Sequence, residues 1–225
     1  MRSPLRFRAA VALPGRVDVV VEEVEGCAVV SGAGAVFNHA RVAPGSTVAV
    51  IGCGGVGLAA LQAARISGAV RIVAVDPSEH KRVLAAKLGA TDFVDPALAP
   101  AAAQVLDLTA GRGVDVAVEA YGSAATTEQA LAATGRGGIC IQVGTPRPGE
   151  QVRIPPGAGE RVFVSSVYGS GDVRRDIPRL VDLAEAERLD LTSLVSKFVP
   201  LMPGPLSAEL RAPDPDVVRT VIQPS

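Results

Sequence analysis

Tryptophan is missing from the 225 residues, and aromatic side chains of all kinds make up only 3%. That scarcity removes the stacking platforms by which single-stranded RNA is usually read. Positive charge is not in surplus either. The 22 Lys and Arg are balanced by 23 Asp and Glu, for a formal net charge of −1. Without a basic excess, neither nucleic acid nor an anionic membrane surface is an expected partner. Cysteine is sparse: Cys27, Cys53 and Cys140 are far apart and odd in number. They allow no disulfide framework and no CxxC zinc pair, and a reducing cytoplasm is the expected setting. No apolar run reaches 18 residues, so no membrane span is predicted. The start, MRSPLRFRAAVALPG, is basic, but its apolar run stops at Pro14 after five residues, too short for a signal peptide.

What is present is glycine, placed with a purpose. The stretch TVAVIGCGGVG, 47–57, is an apolar run that ends in Gly52-Cys53-Gly54-Gly55-Val56-Gly57. An Ala-rich helical pattern follows, then a second apolar run, Val70–Val75, ending in Asp76. The order is strand, glycine turn, helix, strand, acid. Asp76 lies 19 positions after Gly57, against the roughly 20 of the dinucleotide fingerprint. Gly52 permits the tight turn, Gly54 lets the backbone approach a pyrophosphate, and Gly57 lets the helix pack close to the strand. The helix N-terminus offers unpaired N–H groups to phosphate, and Asp76 can accept from a ribose 2′-OH.

Around this unit the chain alternates. Residues 7–12 and 17–24 read as two short opening strands and 27–41 as a small-residue helix. After Asp76 come a helix at 78–88 capped by Ser78 and Gly89, a strand at 92–94 and a helix at 99–109. Then follow a strand at 113–120, a helix at 123–133, a strand opened by Gly137-Gly138, a Pro/Gly loop at 146–158, a strand at 161–169 and a helix at 173–186. Strands and helices at this spacing predict an α/β fold, a doubly wound, parallel, six-stranded Rossmann sheet with helices on both faces. The segment 200–215 holds five prolines and cannot be a long helix; a short strand at 217–222 follows. The expected division is 1–25, opening strands of a second domain; 26–172, the dinucleotide-binding domain; and 173–225, a helix, proline-rich tail and final strand.

GCAVVSGAGAVFN, IGCGGVG, IVAVDPSEHK, LGATDFVDP, GVDVAVEAYGS and VVRTVI together resemble the zinc-type medium-chain alcohol dehydrogenases. The resemblance runs from about Gly26 to Leu194 and returns at 217–222. It implies an NAD(H)-binding protein, NAD(H) being preferred over NADP(H). Gly52, Gly54, Gly55 and Gly57 correspond to the pyrophosphate turn, Val56 to the residue behind the nicotinamide, and Asp76 to the acid that selects NAD. Lys81 corresponds to a basic residue near the adenosine ribose and Ser31 to a small hydroxyl residue touching the nicotinamide. Val143 and Thr145 correspond to positions whose backbone holds the carboxamide. Arg219 corresponds to a terminal arginine on the pyrophosphate, or else is a surface charge on an edge strand.

The same resemblance implies a loss. The family's GroES-like catalytic segment lies between the opening strands and the Gly-Cys helix, and here Glu25 runs straight into Gly26. Of the catalytic zinc ligands only Cys27 corresponds, and it is expected as a leftover buried cysteine, the alternative being a thiol nucleophile. His39 reads as a partner for a helix C-terminus and His80 lies beside Asp76, so no zinc site is expected. Hydride transfer would then need another electrophile for the substrate oxygen. Tyr121 and Tyr168, both at predicted strand ends, are the candidate catalytic residues, and the alternative is that both are wall residues. The function expected is zinc-independent oxidation or reduction of a small carbonyl or alcohol. The alternatives are an NAD-binding pseudoenzyme or regulatory scaffold, and a small enzyme repurposed for non-redox chemistry. The apolar edge strand Val162–Val167 implies a homodimer.

Overall fold

The computed structural model describes residues 24–154, 159–200, 214 and 216–223. The predicted strand at 7–12, all but Val24 of that at 17–24, residues 1–23 of the remnant domain at 1–25 and nearly all of the proline-rich stretch lie outside the described residues; Val24 and Glu25 open a helix rather than close a strand.

The chain enters through three contiguous helical segments, Val24–Val29, Val30–Gly34 and Ala35–Ala40, the first and last π-wound. We call them together α1. The core alternates: β1 (Thr47–Ile51), α2 (Gly55–Ile66), β2 (Arg71–Val75), α3 (Glu79–Leu88), β3 (Asp92–Val94), α4 (Ala101–Leu108), β4 (Val114–Glu119), α5 (Ala124–Ala133), β5 (Thr134–Gln142) and β6 (Val162–Ser165). A single helical turn at Tyr168–Ser170 precedes α6 (Val173–Glu185), and β7 (Lys197–Pro200) and β8 (Thr220–Gln223) close the chain.

The six strands lie in the order β3-β2-β1-β4-β5-β6, every pair parallel. This is the doubly wound sheet expected, with its reversal of strand order between β1 and β4. Strand alternation divides the core in two. Val48, Val50, Ile72, Ala74, Val116, Val118 and Ile141 pack under α1, α2 and α6. Ala49, Ile51, Val73, Val75, Ala117 and Cys140 pack under α4 and α5. Burying a Val or Ile side chain contributes about 1.5–3 kcal/mol, so two faces of such residues hold the central strands, with Phe37, Phe93 and Phe163 packed against them from the margins.

Local signals work where they are chemical. Ser78 caps α3 by accepting from the Lys81 N–H at 3.1 Å, and Gly89 ends it in the left-handed region. Ser123 and Thr126 form a reciprocal capping box on α5.

Three expectations are corrected. Gly137-Gly138 does not open β5: the strand begins at Thr134, and Gly137, at φ +77°, sits in an irregularity between the pairs Val114–Thr134 and Val116–Ile139. The sixth strand is four residues long, not nine, and stops at Ser165; Ser166 and Val167 lie outside it. Finally, Lys197–Pro200, read as no element, is a strand that pairs in parallel with β8.

Candidate functional site

The carboxyl ends of β1, β2, β4, β5 and β6 meet at one edge of the sheet. Ligands in such folds bind outside those ends, at the reversal point of strand order. The glycine turn stands there. Gly52 has φ +92° and donates its N–H to the Val75 carbonyl at 2.8 Å. Gly57 is required by contact: a Cβ at that position would collide with the Gly52 carbonyl oxygen. Nothing stands within 4 Å of where a Cβ on Gly54 would be, so that face of the turn is open. The first amides of α2 point into this opening without intrahelical partners. Val56 is half-buried behind them.

Asp76 closes the adenosine side. It is buried, and its Oδ2 accepts from the Cys53 N–H at 2.8 Å while its Oδ1 accepts from the Ser78 N–H at 3.0 Å. The Lys81 ammonium stands 3.6 Å from Oδ2. A carboxylate has about four acceptor sites, so Asp76 can fasten the turn and still receive ribose hydroxyls. Cys53, beneath the turn, is no nucleophile: burial first, then the nearby Asp76 charge, pushes its thiol up to about 12.

Arg219 arrives from the far end of the chain. Its Nε stands 2.7 Å from where a Cβ on Gly55 would be, so the guanidinium lies on the glycine turn and is no distant surface charge. That Nε is buried and has no hydrogen-bond partner among the described residues. The segment before it is tied down on both sides. Ser78 Oγ donates to Asp216 Oδ1 at 2.6 Å, and the Ser196 N–H donates to the Arg219 carbonyl at 2.9 Å. A partnerless buried donor beside an open glycine face fits the charge and hydrogen-bonding needs of a pyrophosphate.

On the other half, Val143 is half-buried and Thr145 exposed beyond β5. Ser31 is buried within α1. Tyr121 lies two residues past β4 and is 69% exposed; Tyr168 is 50% exposed. Tyr168 does not end a strand as expected. It begins a left-handed turn three residues past β6, with φ +48°. Neither phenol makes a hydrogen bond to another described residue.

Cys27, on the π-wound opening of α1, is exposed and not buried as expected: Val29, Val30, Ala33 and Val36 are among the α1 residues that pack into the core. Zinc does not fit the described residues. A catalytic site needs three protein ligands, and no three His, Cys, Asp or Glu converge among them.

Sequence reading missed Glu119. It ends β4, is fully buried, and its Oε1 accepts from the Tyr121 N–H (3.0 Å), the Gly122 N–H (2.7 Å) and Thr126 Oγ1 (2.8 Å). It thereby shapes the loop that faces Gly52. The signal was available: a lone acid closing an apolar central strand must find partners, because burying an unpaired charge is costly.

Comparison with known proteins agrees with this geometry. The family model described as zinc-binding dehydrogenase matches residues 55–186. A probable S-(hydroxymethyl)glutathione dehydrogenase 1 of Schizosaccharomyces pombe is 41% identical over 162 residues, 70% of this chain and 42% of that protein. Alcohol dehydrogenase 2 of Zea mays is 35% identical over 179 residues, 77% of this chain and 47% of the relative. Among solved structures, benzyl alcohol dehydrogenase from Acinetobacter calcoaceticus superposes with a TM-score of 0.85 at 30% identity, covering 96% of this chain and 59% of that one. The chain thus spans about half the length of the curated relatives it matches. It belongs to the zinc-binding dehydrogenase family.

Proposed function

We propose that the chain binds NAD(H), in preference to NADP(H), across the carboxyl ends of β1, β2, β4, β5 and β6, as the coenzyme-binding part of an oxidoreductase for a small alcohol or carbonyl. The observation that carries the reading is the pairing of Arg219, with its buried partnerless Nε, and the open face of Gly54. The pyrophosphate belongs between them, the adenosine ribose on Asp76, and the nicotinamide toward Val56, Ser31, Val143 and Thr145. The buried carboxylate of Asp76 supports the choice of NAD(H), since a 2′-phosphate would bring like charge against it. When bound, the cofactor supplies hydride chemistry; the protein's part is to hold and orient it.

A second reading is cofactor binding without turnover. Its support is that the exposed phenols of Tyr121 and Tyr168 are held by no described residue, whereas an electrophile for hydride transfer must be preorganised. One experiment separates the two. The protein is mixed with NADH and the cofactor fluorescence followed, then aldehydes and ketones are added and the loss of NADH absorbance recorded. A fluorescence shift followed by turnover supports the oxidoreductase, and a shift alone supports the second reading. No shift with NADH or NADPH refutes both.

A further inference from the structure

Three consecutive residues after β6, Tyr168 (φ +48°), Gly169 (+69°) and Ser170 (+51°), occupy the left-handed region. Two of them carry side chains, for which this conformation is unfavourable, and such residues persist only where their surroundings over-determine them. The surroundings here are specific. Asn38, near the end of α1, donates through Nδ2 to the Gly169 carbonyl at 3.1 Å and to Asp176 Oδ2 at 2.9 Å. Asp176 is buried at the start of α6 and is held by Arg175 Nε at 2.8 Å. The adjacent His39 Nδ1 shares a hydrogen bond with Ser170 Oγ at 2.9 Å, and Ser170 Oγ donates to the buried Ser166 Oγ at 2.9 Å. Gly34 and Gly169 meet backbone to backbone, with no room for a Cβ on either.

This turn is not needed to close the sheet, which ends at Ser165. It begins just past the carboxyl end of β6, with Val167 and Tyr168 78% and 50% exposed, at the end of the sheet where the second mononucleotide half lies in this fold class. The helix that anchors it, α1, also carries Ser31. The clamp therefore joins two walls of the same end of the site.

Resting on the cofactor reading above, we propose that Asn38, backed by Asp176, is a positioning residue for the nicotinamide end of the cofactor. It fixes the left-handed turn 168–170 relative to α1 and leaves the adenosine half, some strands away at Asp76, untouched.

The test compares NADH with ADP-ribose, which has the adenosine half and pyrophosphate but no nicotinamide, by calorimetry on wild type, Asn38→Ala and Ser170→Ala. Loss of the clamp is expected to weaken NADH by about tenfold, the scale of one or two lost hydrogen bonds, with ADP-ribose affinity unchanged. In wild type NADH should bind more tightly than ADP-ribose, and in Asn38→Ala that advantage should shrink. Equal losses for both ligands, or no loss for either, would overturn the clamp while leaving cofactor binding intact. If wild type binds neither ligand, the cofactor reading fails, and the clamp with it. Should Asn38→Ala not fold, Ser170→Ala, which removes only the link to His39 and Ser166, carries the same comparison with a smaller expected loss.

Discussion

Replacing Arg219 by alanine separates binding from stability, because the structure makes the first effect large and the second close to zero. In the free protein the Nε is buried on the glycine turn without a partner, and an unsatisfied buried donor costs about 1–3 kcal/mol. Alanine removes that cost and also the contact of the side-chain stem with Gly55. The two offset, so the urea midpoint should move by less than about 1 kcal/mol equivalent. In the complex the guanidinium would donate to phosphate oxygens, and hydrogen bonds to charged groups are worth about 1.5–3 kcal/mol. At about 1.4 kcal/mol per decade, NADH affinity should fall roughly 10- to 150-fold. Arg219→Lys keeps the charge but not the planar fork and should lie between. Added salt should weaken wild-type binding more than that of the alanine variant. The assay is NADH fluorescence titration beside urea unfolding. An unchanged NADH affinity in Arg219→Ala would refute the placement of pyrophosphate, and an unfolded variant would refute the claim that the residue is costly in the free state.

Other outcomes follow from the same geometry. Gly57→Ala forces a Cβ into the Gly52 carbonyl; overpacking of this kind costs about 1–3 kcal/mol, and NADH binding should fall with it, read by thermal unfolding and titration. Of the three thiols, only Cys27 should react rapidly with a thiol reagent in the native state. Cys53 and Cys140 are buried, which pushes both thiols up to about 12, and they should react only on unfolding. Asp176 is held below the usual carboxylate range by the Arg175 hydrogen bonds, with Asn38 and Arg179 adding to the effect against the opposing cost of burial. Its contribution to stability is therefore complete above the unfolded value near about pH 4 and lost as pH falls through the lowered folded value. Asp176→Asn should flatten that acid limb in urea midpoints measured from about pH 5 downward. The exposed edge of β6, where Val162 is 48% exposed, should pair two copies; sedimentation giving a species of 22.9 kDa would contradict the dimer.

Much of the sheet could be read from the chain because its causes are local. The runs of β1 and β2 are apolar on both faces, as strands covered by helices on both sides must be, and Ser78, Gly89 and Ser123 act within one turn of their own position. The failures have non-local causes. The apolar character of VFVSSVY continues past Ser165, so period alone extends the strand; the turn is held by residues distant in sequence, Gly34, His39 and Asn38, the last 131 residues before Gly169. Gly137-Gly138 has the composition of a strand boundary, but the residues before it already pair with β4. Cys27 was expected to be buried as small thiols commonly are, and its exposure depends on which side of α1 meets the sheet.

The placement of Arg219 had the least local cause, and it depends most on β7. Composition marks 200–215 as a break, and residues on its far side could lie anywhere. The short run Lys197–Pro200 sets the outcome by pairing in parallel with β8. Both strands of a parallel pair start at the same end, so β8 begins with Thr220 beside Lys197. Ser196 then binds on both sides of the turn into β8, its N–H donating to the Arg219 carbonyl and its Oγ accepting from the Val218 N–H at 2.9 Å. With the backbone held there, and Asp216 tied to Ser78, the Arg219 side chain has the glycine turn within reach. A two-stranded sheet buries too little to be stable alone. It is held by Val218, packed on the core beneath α1 and α2, and by the contact of Arg219 with Gly55. The element that completes the proposed pyrophosphate site is thus itself partly held in place by that site, so cofactor binding should protect the amides of β7 and β8 from hydrogen exchange more than those of β1.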